Sequence, residues 1–108
     1  MELTSKQRAQ LRARANGMEP NLQVGKVGIG ENLIRQADDA LEARELIKGR
    51  VLDNNIGDDA RSAAQALAKA TRSEVVQVIG TRFVLYRESH SKPREKRIQL
   101  VRAGKIKN

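Results

Sequence analysis

The 108-residue sequence contains no cysteine and no tryptophan, and Phe83 and Tyr86 supply all of its Phe, Trp and Tyr content. Without cysteine the chain has no disulfide framework and no thiolate zinc site. A reducing compartment is compatible with this composition, and we expect a cytoplasmic protein. Because aromatic residues make up only 2% of the sequence, we expect a core of leucine, isoleucine, valine and alanine.

Long apolar runs are also missing from the sequence. No run approaches the roughly eighteen residues that a membrane-spanning helix needs, so we expect no membrane partner. The N-terminal residues include no hydrophobic signal region. Their arginine content is typical of a transit peptide, but Glu2 and the single serine of this stretch, Ser5, argue against one.

Residues suited to catalysis are scarce. The only histidine, His90, lies in a polar and basic stretch, where we expect it to be solvated. The pairs Asp38–Asp39 and Asp58–Asp59 are adjacent in sequence, and neighbouring helical side chains point about 100° apart, so neither forms a converging carboxylate pair. No histidine, aspartate and glutamate residues are spaced as a metal site requires. The sequence therefore predicts no enzyme activity, no metal and no cofactor.

The net charge of +8 is unevenly distributed along the chain. Residues 1–16 carry a charge of +3 and residues 87–108 a charge of +6, whereas residues 17–86 carry a charge of −1. Basic ends can simply keep a small protein soluble, but an excess this segregated favours binding to a polyanion. Nucleic acid is favoured over a membrane because no segment combines a basic face with exposed large apolar residues.

Hydrophobic periodicity predicts three helices. The first covers LTSKQRAQLRARANG, with Thr4 and Gln7 as a capping box and Gly17 as its stop. The second runs from about residue 31 to residue 44. The third begins after a cap at Asp58 or Asp59 and buries an alanine-rich face formed by Ala60, Ala63, Ala64, Leu67, Ala68 and Thr71.

Four segments have the pattern of strands: LQV at 22–24, LIKGRVLD at 46–53, EVVQVIG and TRFVLYR. The last two are joined at Gly80-Thr81, which predicts a two-residue hairpin. Phe83 and Tyr86 are three residues apart and fall on opposite faces of the last strand, so they cannot form one stacking platform for bases. We expect Phe83 in the core and Tyr86 partly exposed.

The predicted fold is α/β, with one mixed four-stranded sheet and three helices in the order α-β-α-β-α-β-β. Strands separated by helices are expected to pair in parallel, and the last two strands to form an antiparallel hairpin. We assign residues 1–87 to a single domain and residues 88–108 to a basic C-terminal tail. Within this tail, RIQLV is predicted either to add a brief strand or to dock on the domain.

Three glycines lie close together in NLQVGKVGIGENLIRQ, between a strand and a helix. Their spacing matches neither the P-loop pattern nor the dinucleotide-binding fingerprint. Gly25, Lys26, Val27 and Gly28 instead form a G-x-x-G pattern, which we call the GKVG turn. Glycines let a bulky anion approach the backbone, the following helix N-terminus favours a phosphate, and Lys26 adds a full charge. By itself this pattern is also typical of a plain turn.

Several segments together resemble a CRM domain of the YhbY type, a family named after chloroplast RNA splicing and ribosome maturation. They are LTSKQRAQLRARA, then VGKVG with its helix, then ALEARELIKGRVL, and then VVQVIGTRFVLYR. The resemblance runs from about Leu3 to Arg87. It implies a fold similar to the C-terminal domain of bacterial translation initiation factor three. It also implies RNA binding through the GKVG turn.

The resemblance further implies a role in ribosome maturation, because single-domain bacterial members are associated with precursors of the large ribosomal subunit. We therefore expect a monomeric RNA-binding protein that acts on ribosomal RNA. Basic residues beyond the turn are expected to extend the RNA surface: Arg8, Arg12, Arg14, Lys48 and Arg50, and in the tail Lys92, Arg94, Lys96 and Arg97. The alternatives are an adaptor that docks on ribosome assembly factors and, third, a DNA-binding protein.

Overall fold

The computed structural model describes residues 2–53, 57 and 59–101. Three helices and four strands follow each other in the predicted order, and a short 3-10 turn, Arg94–Lys96, comes after the last strand. The elements are α1 (Ser5–Ala15), β1 (Leu22–Val24), α2 (Glu31–Arg44), β2 (Leu46–Val51), α3 (Ala60–Thr71), β3 (Glu74–Ile79) and β4 (Arg82–Tyr86). The predicted α/β class and its mixed four-stranded sheet are confirmed.

The strand order across the sheet is β1-β2-β4-β3. β1 pairs with β2 in parallel, as predicted for strands joined through a helix, and β3 and β4 form the predicted antiparallel hairpin. The expectation of parallel pairing is wrong for β2 and β3, because β4 lies between them and is antiparallel to both. This arrangement lets β3 and β4 pair directly, with one register shift between Val75 and Gln77, while α3 crosses over the sheet.

The main core lies between one face of the sheet and helices α2 and α3. Leu41 of α2 and the alanine-rich face of α3, predicted from the sequence, are buried there against Ile47, Phe83 and Leu85. The small alanine side chains let α3 approach the sheet closely, so a chain poor in aromatic residues still encloses a continuous core.

A second, smaller core lies on the opposite face, under α1. Leu11 and Ala15 of α1 are buried there against Leu46, Val84 and Tyr86. Phe83 and Tyr86 therefore occupy opposite faces, as predicted. The prediction that Tyr86 is partly exposed is wrong, because residues of α1 together with Ile98 and Leu100 enclose it in this core, and only 1% of its residue surface is exposed. This burial, together with nearby Glu45 and Glu88, raises the pKa of Tyr86 to about 12.

The helix ends follow the predicted capping residues closely. The side chain of Thr4 accepts a hydrogen bond from the Gln7 amide, and the Gln7 side chain accepts one from the Thr4 amide, which completes the capping box. Asp59 caps α3 in the same way through Ser62, while Asp58 lies outside the described residues. Helix α1 ends at Ala15 with Asn16 as its C-cap, so the predicted Gly17 follows directly after the cap.

The segment after β4 lies against the domain up to residue 101. Ile98 and Leu100 pack on the second core, so RIQLV docks on the domain and forms no strand in the part of the chain described. The carboxylate of Glu45, which is fully buried, accepts hydrogen bonds from the Ser89 amide (2.8 Å) and the Ile98 amide (2.6 Å). The division at residue 87 stays a prediction.

Candidate nucleic-acid interface

The GKVG turn connects β1 to the helix that follows it. The Gly28 amide donates to the Gly25 carbonyl at 3.0 Å and closes a four-residue turn. Gly28 has a φ of 80°, a left-handed conformation that glycine adopts without strain. The turn therefore places Lys26 and Val27 at its tip, where both are exposed and Val27 keeps 92% of its surface accessible.

The N-terminus of α2 differs from those of α1 and α3. Gly30 is its N-cap and provides no side-chain hydrogen bond, whereas Thr4 and Asp59 cap the other two helices. The first intrahelical bond runs from the Ile34 amide to the Gly30 carbonyl, 3.0 Å. The amides of residues 31–33 precede that bond and belong to the group that needs partners outside the helix. This end of α2 therefore has the geometry and the dipole that favour an anion.

A cavity of about 510 Å³ lies between the turn and this helix end. Lys26, Gly28, Gly30 and Glu31 are among the residues that line it. Lys26 is the basic side chain of this lining and Glu31 the acidic one, so the site combines an ammonium group and backbone amides with a single carboxylate.

The basic residues of α1 are not equivalent. The Arg8 guanidinium donates to the Val75 carbonyl, which fixes it on the sheet. Arg12 and Arg14 lie in the last turn of the helix, where Arg12 is half-buried and Arg14 is exposed. Arg14 is therefore the most accessible of the three.

Lys48 and Arg50 follow each other on one face of β2. The Lys48 ammonium donates to the carbonyls of Ala15 and Met18, both at 3.2 Å, and so ties the end of α1 to the sheet. Arg50 lies two residues further along the strand and is exposed. Since β1 is the neighbour of β2 and leads directly into the GKVG turn, Arg50 lies toward the same end of the domain as Lys26.

The basic residues of the tail form a separate group, the tail cluster, which comprises Lys92, Arg94, Lys96 and Arg97. Arg97 donates through Nε to the Lys92 carbonyl at 3.0 Å and lies 4.0 Å from the Glu88 carboxylate. Arg94 and Lys96 are exposed. Ser89 and Ile98, which flank this cluster, are bonded to Glu45 directly after α2. The tail cluster is therefore at the opposite end of α2 from the GKVG turn.

Two features of this surface were not predicted. Arg82, on β4, is exposed and stands directly opposite Arg50 in the sheet. Its charge and its place on the same strand face as Val84 were visible in the sequence, but its pairing with Arg50 was not. Glu42, on α2, binds the tail: its carboxylate accepts hydrogen bonds from the amides of His90 (2.8 Å) and Ser91 (2.6 Å).

Within the described ranges of the chain, acidic and histidine residues form no group that could hold a metal ion. Nor is any helix among the residues described long and apolar enough to cross a bilayer.

The class of this protein is a small α/β domain of three helices and one mixed four-stranded sheet, with a basic glycine turn before a helix whose N-cap provides no side-chain hydrogen bond. The chain matches the CRS1 / YhbY (CRM) domain over residues 3–87, and it belongs to this family. The family resemblance inferred from the sequence motifs is therefore confirmed, over nearly the same residues.

Individual relatives agree with this assignment. The chain is 51% identical over 87 residues to "Probable RNA-binding protein YqeI" of Bacillus subtilis. The aligned region covers 81% of this chain and 90% of the relative. It is 40% identical over 87 residues to "Probable RNA-binding protein MJ0652" of Methanocaldococcus jannaschii, covering 80% of this chain and 64% of the relative. These relatives are named for RNA binding rather than for a catalysed reaction.

A solved structure resembles the whole fold. The solution structure of the hypothetical protein SAV1595 from Staphylococcus aureus has 50% sequence identity to this chain and superposes with a TM-score of 0.72. The match covers 93% of this chain and all of the other.

Proposed function

We propose that this protein binds RNA through the GKVG turn and the N-terminus of α2. The observation that carries the proposal is that three features line one cavity. They are the exposed Lys26 ammonium, Gly28 in a left-handed backbone conformation, and the N-terminus of α2, which has no side-chain cap. In this proposal the amides around Gly28 and at the start of α2 donate to a phosphate of the RNA backbone, and Lys26 neutralises its charge. Names of relatives that refer to RNA binding support the same ligand.

The exposed basic residues on α1 and β2 extend this surface in the proposal. Arg14 and Arg50 are accessible for further phosphates, whereas Arg8 and Lys48 also brace α1 on the sheet. Such contacts position an RNA but read no sequence directly. The protein acts without a cofactor and catalyses no reaction.

We propose ribosomal RNA in precursors of the large ribosomal subunit as the target, with the protein acting as a monomer in the cytoplasm. The support is the resemblance to single-domain bacterial members of the family. Crosslinking in cells followed by sequencing of the bound RNA tests this target, and large-subunit precursor RNA is the expected product. Enrichment of unrelated transcripts alone would reject it.

The competing functions are an adaptor for acidic assembly factors and a DNA-binding protein. An adaptor would show no RNA affinity at about 150 mM salt, where nucleic-acid binders still hold. A DNA-binding protein would prefer duplex DNA over RNA in direct competition. Binding assays at this salt concentration therefore separate all three functions.

The Lys26→Glu variant tests the turn itself. Reversing the charge at an exposed tip should weaken RNA binding by at least about tenfold, which corresponds to about 1.4 kcal/mol. The free energy of unfolding should change by less than about 0.5 kcal/mol, as is usual for surface substitutions. Fluorescence anisotropy with a labelled single-stranded RNA and thermal unfolding measure the two effects.

The matched control is Lys69→Glu, the same charge reversal at an exposed lysine in the last turn of α3. Both variants have the same net charge, so a general loss of attraction for RNA affects them equally. Equal RNA affinity of the two variants would reject the GKVG turn as the binding site.

A further inference from the structure

The sheet face that carries α1 is only partly covered. Under the helix lie Leu46, Val76, Val84 and Tyr86, all of which are buried. Toward the other end of the strands the same face carries four exposed residues, one from each strand, which we call the exposed row: Gln23, Arg50, Arg82 and Ile79. Ile79, an apolar residue, keeps 62% of its surface accessible.

The pairing register places these four residues side by side. Gln23 pairs with Arg50, Arg50 with Arg82, and Arg82 with Ile79. The Val51 amide donates to the Thr81 carbonyl at 2.8 Å. Arg50 and Arg82 therefore form the neighbouring non-hydrogen-bonded pair, in which Cα atoms are only about 4.5 Å apart and side chains are closest.

Two arginines in this position work against the stability of the fold. Like charges directly opposite each other on adjacent strands are destabilising. Arg87 and Arg97 each have an acidic partner. In contrast, no carboxylate among the described residues lies within 4.0 Å of Arg50 or Arg82. An anion from outside the domain would remove this repulsion.

A groove beside Arg82 gives such an anion access. It has a volume of about 410 Å³ and lies between Asn16, at the end of α1, and the β3–β4 hairpin. Lys48 and Arg82 are its charged lining residues, and no carboxylate of the described chain lines it. Its charge is therefore entirely positive, unlike that of the cavity at the GKVG turn, where Glu31 is present.

The exposed row is continuous with the turn. Gln23, its first member, also lines the cavity that contains Lys26. From β1 to β3 the row crosses three gaps between strands of about 4.8 Å each, or about 14 Å in all. A strand of RNA held at the turn can therefore continue across the sheet without leaving the protein surface.

We propose that the exposed row is a second phosphate-binding site, which holds the backbone of the RNA strand bound at the GKVG turn. Arg50 and Arg82 present two guanidinium forks that bind phosphate oxygens in bidentate fashion, and Ile79 offers an apolar contact to the ribose or base that follows. This inference rests on the proposed function and adds to it the path of the strand and the role of Arg82.

The test compares the affinities of variants for one labelled, mixed-sequence, single-stranded RNA of about 20 nucleotides, longer than the 4 to 16 nucleotides that a small domain usually covers. Arg82→Gln should weaken binding about tenfold, the lower range for a charged hydrogen bond. It should also make the slope of log affinity against log salt less negative by about 0.7, the value for one phosphate on a single strand. The Arg50→Gln, Arg82→Gln double variant should make that slope less negative by twice as much.

Thermal unfolding separates binding from a structural role. Because Arg82→Gln removes a like-charge contact, its melting temperature should equal or exceed that of the unchanged protein. A lower melting temperature together with unchanged RNA affinity would assign Arg82 a structural role and overturn the proposal.

The matched control is Arg61→Gln, which removes the same charge from an exposed position on α3, one of the two helices on the other face of the sheet. If Arg82→Gln binds RNA no more weakly than Arg61→Gln while Lys26→Glu loses RNA binding, the exposed row is rejected as a phosphate-binding site. RNA binding at the GKVG turn is then still supported. If the unchanged protein does not bind this RNA, the proposed function itself fails. Equal affinity for a polyglutamate chain of matched charge would overturn the choice of RNA as the occupant.

Discussion

At the scale of single residues, the backbone of Gly49 and the aromatic ring of Phe83 are in close contact. They are direct partners across β2 and β4. A Cβ atom at position 49 would lie 2.2 Å from the Phe83 Cζ atom. The glycine therefore provides the space in which the ring lies, and its requirement comes from this contact rather than from an unusual backbone angle.

We predict that Gly49→Ala destabilises the protein by about 1–3 kcal/mol, the usual cost of overpacking a buried site. Phe83 is buried and cannot move aside without disturbing the main core. Denaturant unfolding measures the loss. In a Phe83→Leu background the ring is absent, so the same alanine should cost clearly less; an equal cost in both backgrounds would contradict the contact as the cause.

At the scale of elements, the C-terminal end of α2 holds the chain that follows β4. Glu42 accepts hydrogen bonds from the Ser89 hydroxyl and from the amides of His90 and Ser91, and it pairs with Arg87 at 3.3 Å. The hydrogen bonds from Ser91, Ser89 and His90 lower the pKa of the Glu42 carboxyl from 4.5 to about 2. The contact therefore depends on the charged form of this residue.

This pKa shift predicts how the attachment of the tail depends on pH. A carboxyl group whose pKa is lower in the folded state stabilises that state above its unfolded pKa. The contribution of Glu42 should thus be complete above about pH 4.5 and should be lost as the pH falls toward about 2. The loss of this contribution should appear as faster amide hydrogen exchange of His90 and Ser91, relative to their intrinsic rates, at low pH.

Glu42→Gln is the control for this pH dependence, because its side chain keeps the shape but does not titrate. In that variant the two amides should already be less protected at neutral pH, with little further change down to about pH 3. The same pH profile in both proteins would show that another group controls the attachment.

At the scale of the whole molecule, two groups of described basic residues lie toward opposite ends of α2. The GKVG turn and the exposed row lie toward the N-terminus of α2, and the tail cluster lies near its C-terminus. A helix of 14 residues separates them by about 21 Å. A short oligonucleotide bound at the turn therefore does not reach the tail cluster.

We predict that replacing the four basic residues of the tail cluster by glutamine weakens binding of an RNA of about 20 nucleotides but leaves the affinity for one of about 4 nucleotides unchanged. For the long RNA, the slope of log affinity against log salt should also become less negative by up to about 0.7 for each phosphate contact removed. Titrations at several salt concentrations measure both. Equal losses for the two lengths would show that the charge acts through the general field of the protein and not through contact.

Much of the fold was predictable because it depends on local sequence. The capping box at Thr4 and Gln7, the alanine face of α3 and the hairpin glycine Gly80 are set by residues within a few positions of each other. The exposure of Tyr86 was wrongly predicted because the second core, which encloses it, brings together α1, β2 and the segment after β4, which are separate in the sequence. Its burial depends on packing between distant segments, which periodicity does not describe.

The sequence by itself determined the elements, their order, the family and the glycine turn, since each of these is encoded in contiguous residues. Only the tertiary structure decided that β4 lies between β2 and β3, and with it that Arg82 stands opposite Arg50. It also decided that the tail binds to Glu42 and Glu45. The physical reason is that strand register and long-range hydrogen bonds join residues far apart in the chain, and they form only when the whole core closes.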